Sequence, residues 1–332
     1  MTNFFVAIFI SIPLVFTACQ GTQKKADTKA ADQKTVNIPA FNADSAYKYV
    51  SHQVAFGPRV PNTTAHEKCA VYLSSKLKEF GATVVTQEAQ IKAFDNKILN
   101  AKNIIGQYNP EKNDRILLFA HWDSRPFADH DANTTKRNVP IDGANDGGSG
   151  VGVLLEIARQ LQSTPIDLGI DIIFFDAEDY GQPDHLNLPY VPDSWCLGSQ
   201  YWGQNPHKPY YTARFGILLD MVGAPNATFY QEQFSLQVAK HVVQKIWAIA
   251  DKLGYGNYFP YATGGAITDD HVYVYKHLGI PCVDIIQYDP TSDTGFGHFW
   301  HTHDDTMDGI DPKTLKAVGQ TVLAVIYSEG QQ

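Results

Sequence analysis

Positive charge is scarce in this chain: its 332 residues carry 26 Lys and Arg against 35 Asp and Glu, a formal net charge of −9. A nucleic-acid groove needs a concentrated basic face, so a nucleic-acid partner is excluded. The basic pair Lys24-Lys25 sits in a polar tract, where a solubilising role accounts for it. Cysteine is also sparse, four residues with no CxxC pair, which rules out a disulfide scaffold. Cys69, Cys196 and Cys282 leave room for one disulfide and one thiol without choosing the pair. The apolar run from Phe4 to Phe16 is too short for a comfortable membrane span. It ends at Thr17-Ala18-Cys19, small residues ahead of a cysteine, the pattern of an export signal with lipid attachment. We therefore expect residues 1–18 to be a signal peptide and Cys19 the lipidated first residue of an exported cell-envelope protein facing the periplasm. Membrane contact would be through the lipid anchor alone. Residues 19–40 read as a tether, because Gln20 to Thr35 holds no apolar residue larger than alanine and cannot build a core. Neither an internal repeat nor a Ser- or Pro-rich linker follows residue 40, so residues 41–332 read as a single domain.

What the chain does have is core material, 44% hydrophobic and 12% aromatic residues. Helical spacing predicts helices over Asp44 to Val54 and Thr64 to Phe80, with Gly81 as the stop. A third opens at Ser149 as N-cap, and others cover Gln231 to Leu253, Asp269 to Leu278 and the stretch opened by Asp311-Pro312. Short apolar runs at Thr83–Thr86, Asn103–Tyr108, Arg115–Ala120, Asp171–Phe175, Gly216–Leu219 and Cys282–Ile286 read as strands. Nearly unbroken apolar strands between amphipathic helices indicate a sheet covered on both faces, an α/β/α sandwich around a mostly parallel mixed sheet.

Acidic and imidazole groups fall at the ends of these strands. His121 follows the Arg115–Ala120 run, Glu178-Asp179 follow the Asp171–Phe175 run, Asp220 follows Leu219, and Asp146 lies in a glycine-rich loop before a helix. That is where open α/β sheets bind ligands. Singly, each residue could be a turn former, a helix cap or surface decoration. Together the carboxylates would repel one another unless a cation neutralised them. Zinc suits such an oxygen and nitrogen set. Asp146, Asp179 and His301 would supply three ligands and leave one position open, the pattern of a catalytic site, while the adjacent Glu178 moves a proton.

The motifs His121-Trp122-Asp123, Asp146 in its loop, Phe174 to Asp179 and Trp300-His301-Thr302 resemble those of glutaminyl-peptide cyclotransferases, which share their fold with zinc-dependent aminopeptidases. The resemblance runs from about residue 42 to the C-terminus, with support from Ala55 to Pro61, Leu218 to Asn226 and Asp269-Asp270-His271. It implies zinc on Asp146, Asp179 and His301, Glu178 as acid/base, Asp220 and Asp269 as further active-site acids, and Trp300, Ile267 and Trp195 as pocket walls. The implied reaction closes an N-terminal Gln of a peptide or protein to pyroglutamate, releasing ammonia. One zinc per chain would suffice, since the substrate brings its own nucleophile. The pocket need hold only one small side chain, which implies broad tolerance beyond the first residue. The departures are Asp179, where many relatives carry Glu, and a polar insertion from Tyr180 to Ser194. The rival reading is a two-zinc aminopeptidase in which His121 and Asp220 join Asp146 around a second metal. A surface lipoprotein using the fold only for binding would have no need of Glu178.

Overall fold

A computed structural model describes Met1, Thr2, Phe4, Val6 and residues 37–330. The expected signal peptide, the lipidation site Cys19 and the tether up to Val36 lie essentially outside the described residues. The frame is a six-stranded sheet in the order β1-β2-β4-β3-β5-β6. Strands β3 (Arg115–His121), β4 (Gly169–Phe175), β5 (Gly216–Asp220) and β6 (Cys282–Ile286) run parallel. The hairpin of β1 (Thr83–Lys92) and β2 (Ile98–Tyr108) adds antiparallel to β4.

Side chains of a strand alternate between faces, and here both faces are dry. Ile116, Leu118 and Ala120 of β3 enter a large core with α1 (Ala43–Val54), α2 (Thr64–Glu79), α3 (Gly148–Ser163), the helix Lys240–Lys252 and the C-terminal helix Pro312–Glu329. Leu117 and Phe119 enter a second cluster with Trp202 of α4 (Leu197–Gln204) and Val274 of the helix Asp270–Leu278. The expected three-layer α/β/α arrangement with a mixed sheet is therefore present. β4 lies on one side of β3 and β5 on the other, so the order of travel reverses at β3. Beyond the carboxyl ends of strands at such a reversal lies the usual ligand crevice.

Several local expectations change. The region Gln231 to Leu253 is two helices, α5 (Gln233–Val238) and α6 (Lys240–Lys252), broken at Ala239 with φ −136°. Spacing hid the break because the buried positions Ser235, Ala239, Val242, Val243 and Ile246 stay in helical phase across it. Ser149 is not the cap of α3; Gly147 is, at φ +83°, where an added Cβ would meet the Asp123 carbonyl oxygen at 2.5 Å. Ser149 Oγ instead donates to the Asn145 carbonyl (2.6 Å) and accepts from Val222 N–H (2.9 Å), tying the start of α3 to the end of β5. Helix α7 (Asp270–Leu278) has Asp269 as its N-cap, and α8 (Pro312–Glu329) is capped by Asp311. Cys69, Cys196 and Cys282 are all free and buried. No described helix is long and apolar enough to cross a membrane.

Candidate metal and reaction site

The site is assembled from the ends of β3, β4 and β5, the loop before α3, the cap of α7 and the loop after β6. After β4 the chain takes a sharp turn through Ala177 at φ +52°, a left-handed conformation unfavourable for a residue with a Cβ. Both oxygens of buried Asp123 hold the turn, accepting from Glu178 N–H (3.1 Å) and Asp179 N–H (3.2 Å). Glu178 and Asp179 are thereby fixed side by side, with a carboxylate oxygen of each and a His121 ring nitrogen all within 4.8 Å of one another. Asp146 is placed similarly: Asp305 accepts from Asn145 N–H (2.7 Å) and Asp146 N–H (3.0 Å). His301 also has a positive φ, +54°.

Two groups of side chains meet at Asp146. In the first, His301 Nε2 lies 3.4 Å from Asp179 Oδ1 and 3.7 Å from Asp146 Oδ2. Ligand atoms about 2.0–2.1 Å from a tetrahedral zinc sit roughly 3.3 Å apart, so this spacing fits the ion. Asp179 Oδ2 is buried without a hydrogen-bond donor, an arrangement a cation satisfies. In the second group, His121 Nε2 lies 3.0 Å from Asp146 Oδ1 and 3.2 Å from Asp220 Oδ1, its own partners already in reach.

The electrostatics follow from crowding carboxylates out of water. Burial, with the charge of Asp179 next, pushes Asp146 up to about 6. Burial lifts Glu178 well above the usual carboxylate value, against the pull of the His121 imidazole and with help from Asp269. Asp269 is raised by burial and by Asp220 and Asp270. Asp179 goes the other way: burial is outweighed by His301 and by the Arg125 guanidinium, which hold it below the ordinary range.

A cavity of about 520 Å³ opens over these groups, lined by Asp146, Glu178, Asp179, Asp220, Asp269 and His301 and walled by Trp195, Ile267 and Trp300. His121 lies beneath it, 1% exposed. Trp300 stacks on His301 with centroids 3.9 Å apart. Trp195 lies parallel to His301 at 5.8 Å and over the Arg125 guanidinium at 4.2 Å.

Sequence reasoning missed other participants. Arg125 and Asp129 pair through 2.7 and 2.6 Å hydrogen bonds, and Asp129 Oδ1 lies 3.2 Å from His301 Nδ1, orienting that ring. Cys196 Sγ donates to Glu178 Oε1 at 3.1 Å, and burial raises the thiol well above its normal value, so it stays a donor. Glu232, 2% exposed, accepts from the backbone N–H groups of Phe234, Ser235 and Ile267, from the Ser235 hydroxyl and from His271 Nε2. His271 therefore orients toward Glu232 rather than toward the neighbouring aspartates. The sequence carries a signal for Glu232 alone: an acid at a helix start with Ser three residues on. His207 accepts from Trp202 Nε1 at 3.1 Å.

With this geometry in place, the chain belongs to Peptidase family M28, whose model matches residues 103–326. It is similar to a Zn-dependent exopeptidase from Parabacteroides distasonis, at 61% identity and TM-score 0.87, covering 87% of this chain and 99% of that one. It is equally similar to Tannerella forsythia glutaminyl cyclase, at 60% identity and TM-score 0.85, again covering 87% and 99%. Aminopeptidase YwaD of Bacillus subtilis is 28% identical over 307 residues, 89% of this chain and 59% of that protein. The chain spans about three fifths of the length of the first curated relatives it matches. Zinc dependence in this family and its neighbours agrees with the donor set found here.

Proposed function

We propose that this protein is a zinc-dependent glutaminyl cyclase, converting the N-terminal Gln of peptides or proteins to pyroglutamate with release of ammonia. The observation that carries the reading is Glu178. It is half-buried, raised in pKa, and beside the Asp146–Asp179–His301 triad on the wall of the 520 Å³ cavity. The 60% identity to a glutaminyl cyclase over nearly all of that chain supports it.

Zinc, held by Asp146, Asp179 and His301, would supply Lewis acidity toward the side-chain amide oxygen. The substrate's α-amine nitrogen attacks the side-chain amide carbon, and a C–N bond forms as Glu178 accepts a proton from that nitrogen. Glu178 then returns the proton to the departing nitrogen, the original C–N bond breaks, and ammonia leaves. One residue thus acts as base and then as acid, for which a pKa lifted toward neutrality is suited. Cys196 occupies Oε1 of Glu178, leaving Oε2 for the exchange. Asp269, raised well above the usual carboxylate value by burial and by its acidic neighbours, lines the cavity with Asp220, where the pair can hold the substrate's polar groups. Ile267, Trp195 and Trp300 confine the Gln side chain.

We further propose one zinc per chain, because His121 Nε2 already has Asp220 Oδ1 as a partner at 3.2 Å while Asp179 Oδ2 lacks a donor. Export with a lipid on Cys19 is proposed on the sequence pattern alone. The second reading, a two-zinc aminopeptidase, is favoured by the His121–Asp146–Asp220 group. Mass spectrometry of a Gln-initiated and a Leu-initiated peptide after incubation with zinc-loaded protein decides between them. Loss of ammonia from the first alone is expected; release of free Leu from the second would overturn the cyclase reading.

A further inference from the structure

Beside the reaction cavity lies a second one of about 250 Å³, and the two share Trp195, Trp300 and His301 as a common wall. Its outer side is the segment 181–194, the insertion that the reaction does not use. This segment is a built structure. Gln182 staples it across itself, donating from Nε2 to the Pro189 carbonyl (2.9 Å) and accepting at Oε1 from Val191 N–H (2.7 Å), while Gln182 N–H donates to Ser194 Oγ (3.2 Å). Its start is pressed against the shared wall: a Cβ added at Gly181 would lie 1.9 Å from the Trp195 ring. Its far end is tied to α7, where the Tyr273 hydroxyl donates to Asp193 at 2.9 Å.

So anchored, the segment holds Leu188 49% exposed and Tyr190 83% exposed on the second cavity. Neither adds much to the core, and together they give that cavity an apolar side. The chemistry of the lining says which kind. Its single carboxylate, Asp129, already makes two hydrogen bonds to Arg125 and lies 3.2 Å from His301 Nδ1, so its charge is spent within the protein. The rest of the lining sets the rings of Trp195, Trp300 and Tyr190 with Leu188 and Pro183 among the polar side chains of His130, Gln182, Ser194 and His301, flat faces and an aliphatic group that suit an aromatic or large aliphatic side chain.

Resting on the cyclase reading above, we propose that this cavity is a subsite for the side chain of the substrate's second residue, selecting aromatic and large aliphatic residues. The two cavities meet along Trp195, Trp300 and His301, and successive Cα atoms are 3.8 Å apart, so a peptide whose first side chain fills the reaction cavity carries its second side chain to that shared wall. The broad tolerance expected from the sequence is thereby narrowed at one position.

The test is ammonia release by the full-length zinc-loaded enzyme from the amides Gln-Gly, Gln-Asp, Gln-Leu and Gln-Phe. The expected kcat/KM for Gln-Phe and Gln-Leu exceeds that for Gln-Gly by roughly tenfold, mainly through KM, the scale of placing one apolar side chain in a partly apolar site. In Tyr190→Ala and Leu188→Ala the Phe-to-Gly ratio falls toward one. Both side chains are exposed, so their loss leaves the fold intact, which a thermal melt checks. Rates equal within twofold for all four amides, or a preference that survives both substitutions, overturn the subsite. Ammonia from none of the four overturns the activity reading and the subsite with it.

Discussion

Replacing Glu232 by Gln tests how the pocket wall is held. The carboxylate gathers five donors: Phe234 N–H at 2.7 Å, Ser235 N–H at 2.5 Å, the Ser235 hydroxyl at 2.7 Å, Ile267 N–H at 3.1 Å and His271 Nε2 at 3.3 Å. Burial opposes its ionisation, but the hydrogen bond and charge of His271 and the bonds from Ser235 win, holding it down to about 2 from an ordinary 4.5. That interval corresponds to about 3 kcal/mol of folding free energy. An amide keeps one acceptor and turns a donor toward donors, so a loss of two charge-assisted hydrogen bonds, about 3–5 kcal/mol, is the independent expectation. The sign is fixed by the depressed value. The contribution is fully present above the unfolded value near 4.5 and is lost as pH falls through about 2. Urea denaturation of wild type and Glu232→Gln should therefore differ by about 3 kcal/mol at pH 7, with the gap narrowing between pH 4.5 and 2. Because Ile267 N–H is one of the donors, KM for a Gln peptide should rise in the variant. Equal stability at pH 7, or a gap that does not change on acidification, would refute the assignment.

Glu178→Gln should keep its zinc and lose roughly 100-fold or more in kcat, the usual scale for removing a general acid–base; metal analysis beside steady-state rates checks both halves. Cys196→Ala removes one neutral donor from Glu178 and should lower kcat by roughly fivefold, about 1 kcal/mol, with a wild-type melting temperature showing that the fold is not the cause. His301→Ala and Asp179→Ala should strip the metal, whereas His121→Ala and Asp220→Ala should retain most of it; plasma emission on dialysed protein decides, and activity appearing only between one and two zinc equivalents would restore the two-metal reading. Mass analysis of the mature N-terminus should find an acylated Cys19, and a mature chain beginning elsewhere would sink the lipoprotein proposal.

How far the sequence reads depends on which physical signal each residue leaves. The parallel strands were legible because burial on both faces forces unbroken apolar runs, as in Ile116 to Ala120 and Ile172 to Phe175. β1 was seen only as far as Thr86 because it pairs on one edge alone and its outer half, Gln87 to Lys92, has no sustained apolar run. Helix α4 was not expected at all: it is eight residues long, begins at left-handed Cys196, and has no side-chain cap to announce it. The same contrast divides the site. Asp146, Glu178, Asp179, Asp220 and His301 stand out because charge at a strand end is costly unless used. Asp123 leaves no such mark, since its partners are backbone N–H groups brought close only by folding, 55 and 56 residues away in sequence.

That division bears on how a cyclase and a peptidase can share one ligand set. Asp146 offers one oxygen to each group, Oδ2 toward His301 and Oδ1 toward His121. A carboxylate in that position can bridge two metals or can bind one and accept a proton-bearing nitrogen with its other oxygen. In this protein the His121 ring is entirely buried, and although burial opposes its charge, Asp123, Asp146 and Asp220 together raise its pKa well above normal. Its Nε2 faces Asp146 Oδ1 at 3.0 Å and Asp220 Oδ1 at 3.2 Å, so a second zinc there would compete with a proton for the same atoms. Cyclisation needs no metal-activated water, because the nucleophile is the substrate's amine, whereas hydrolysis does. Zinc content and ammonia release measured together in His121→Ala therefore separate the two uses of one ligand set.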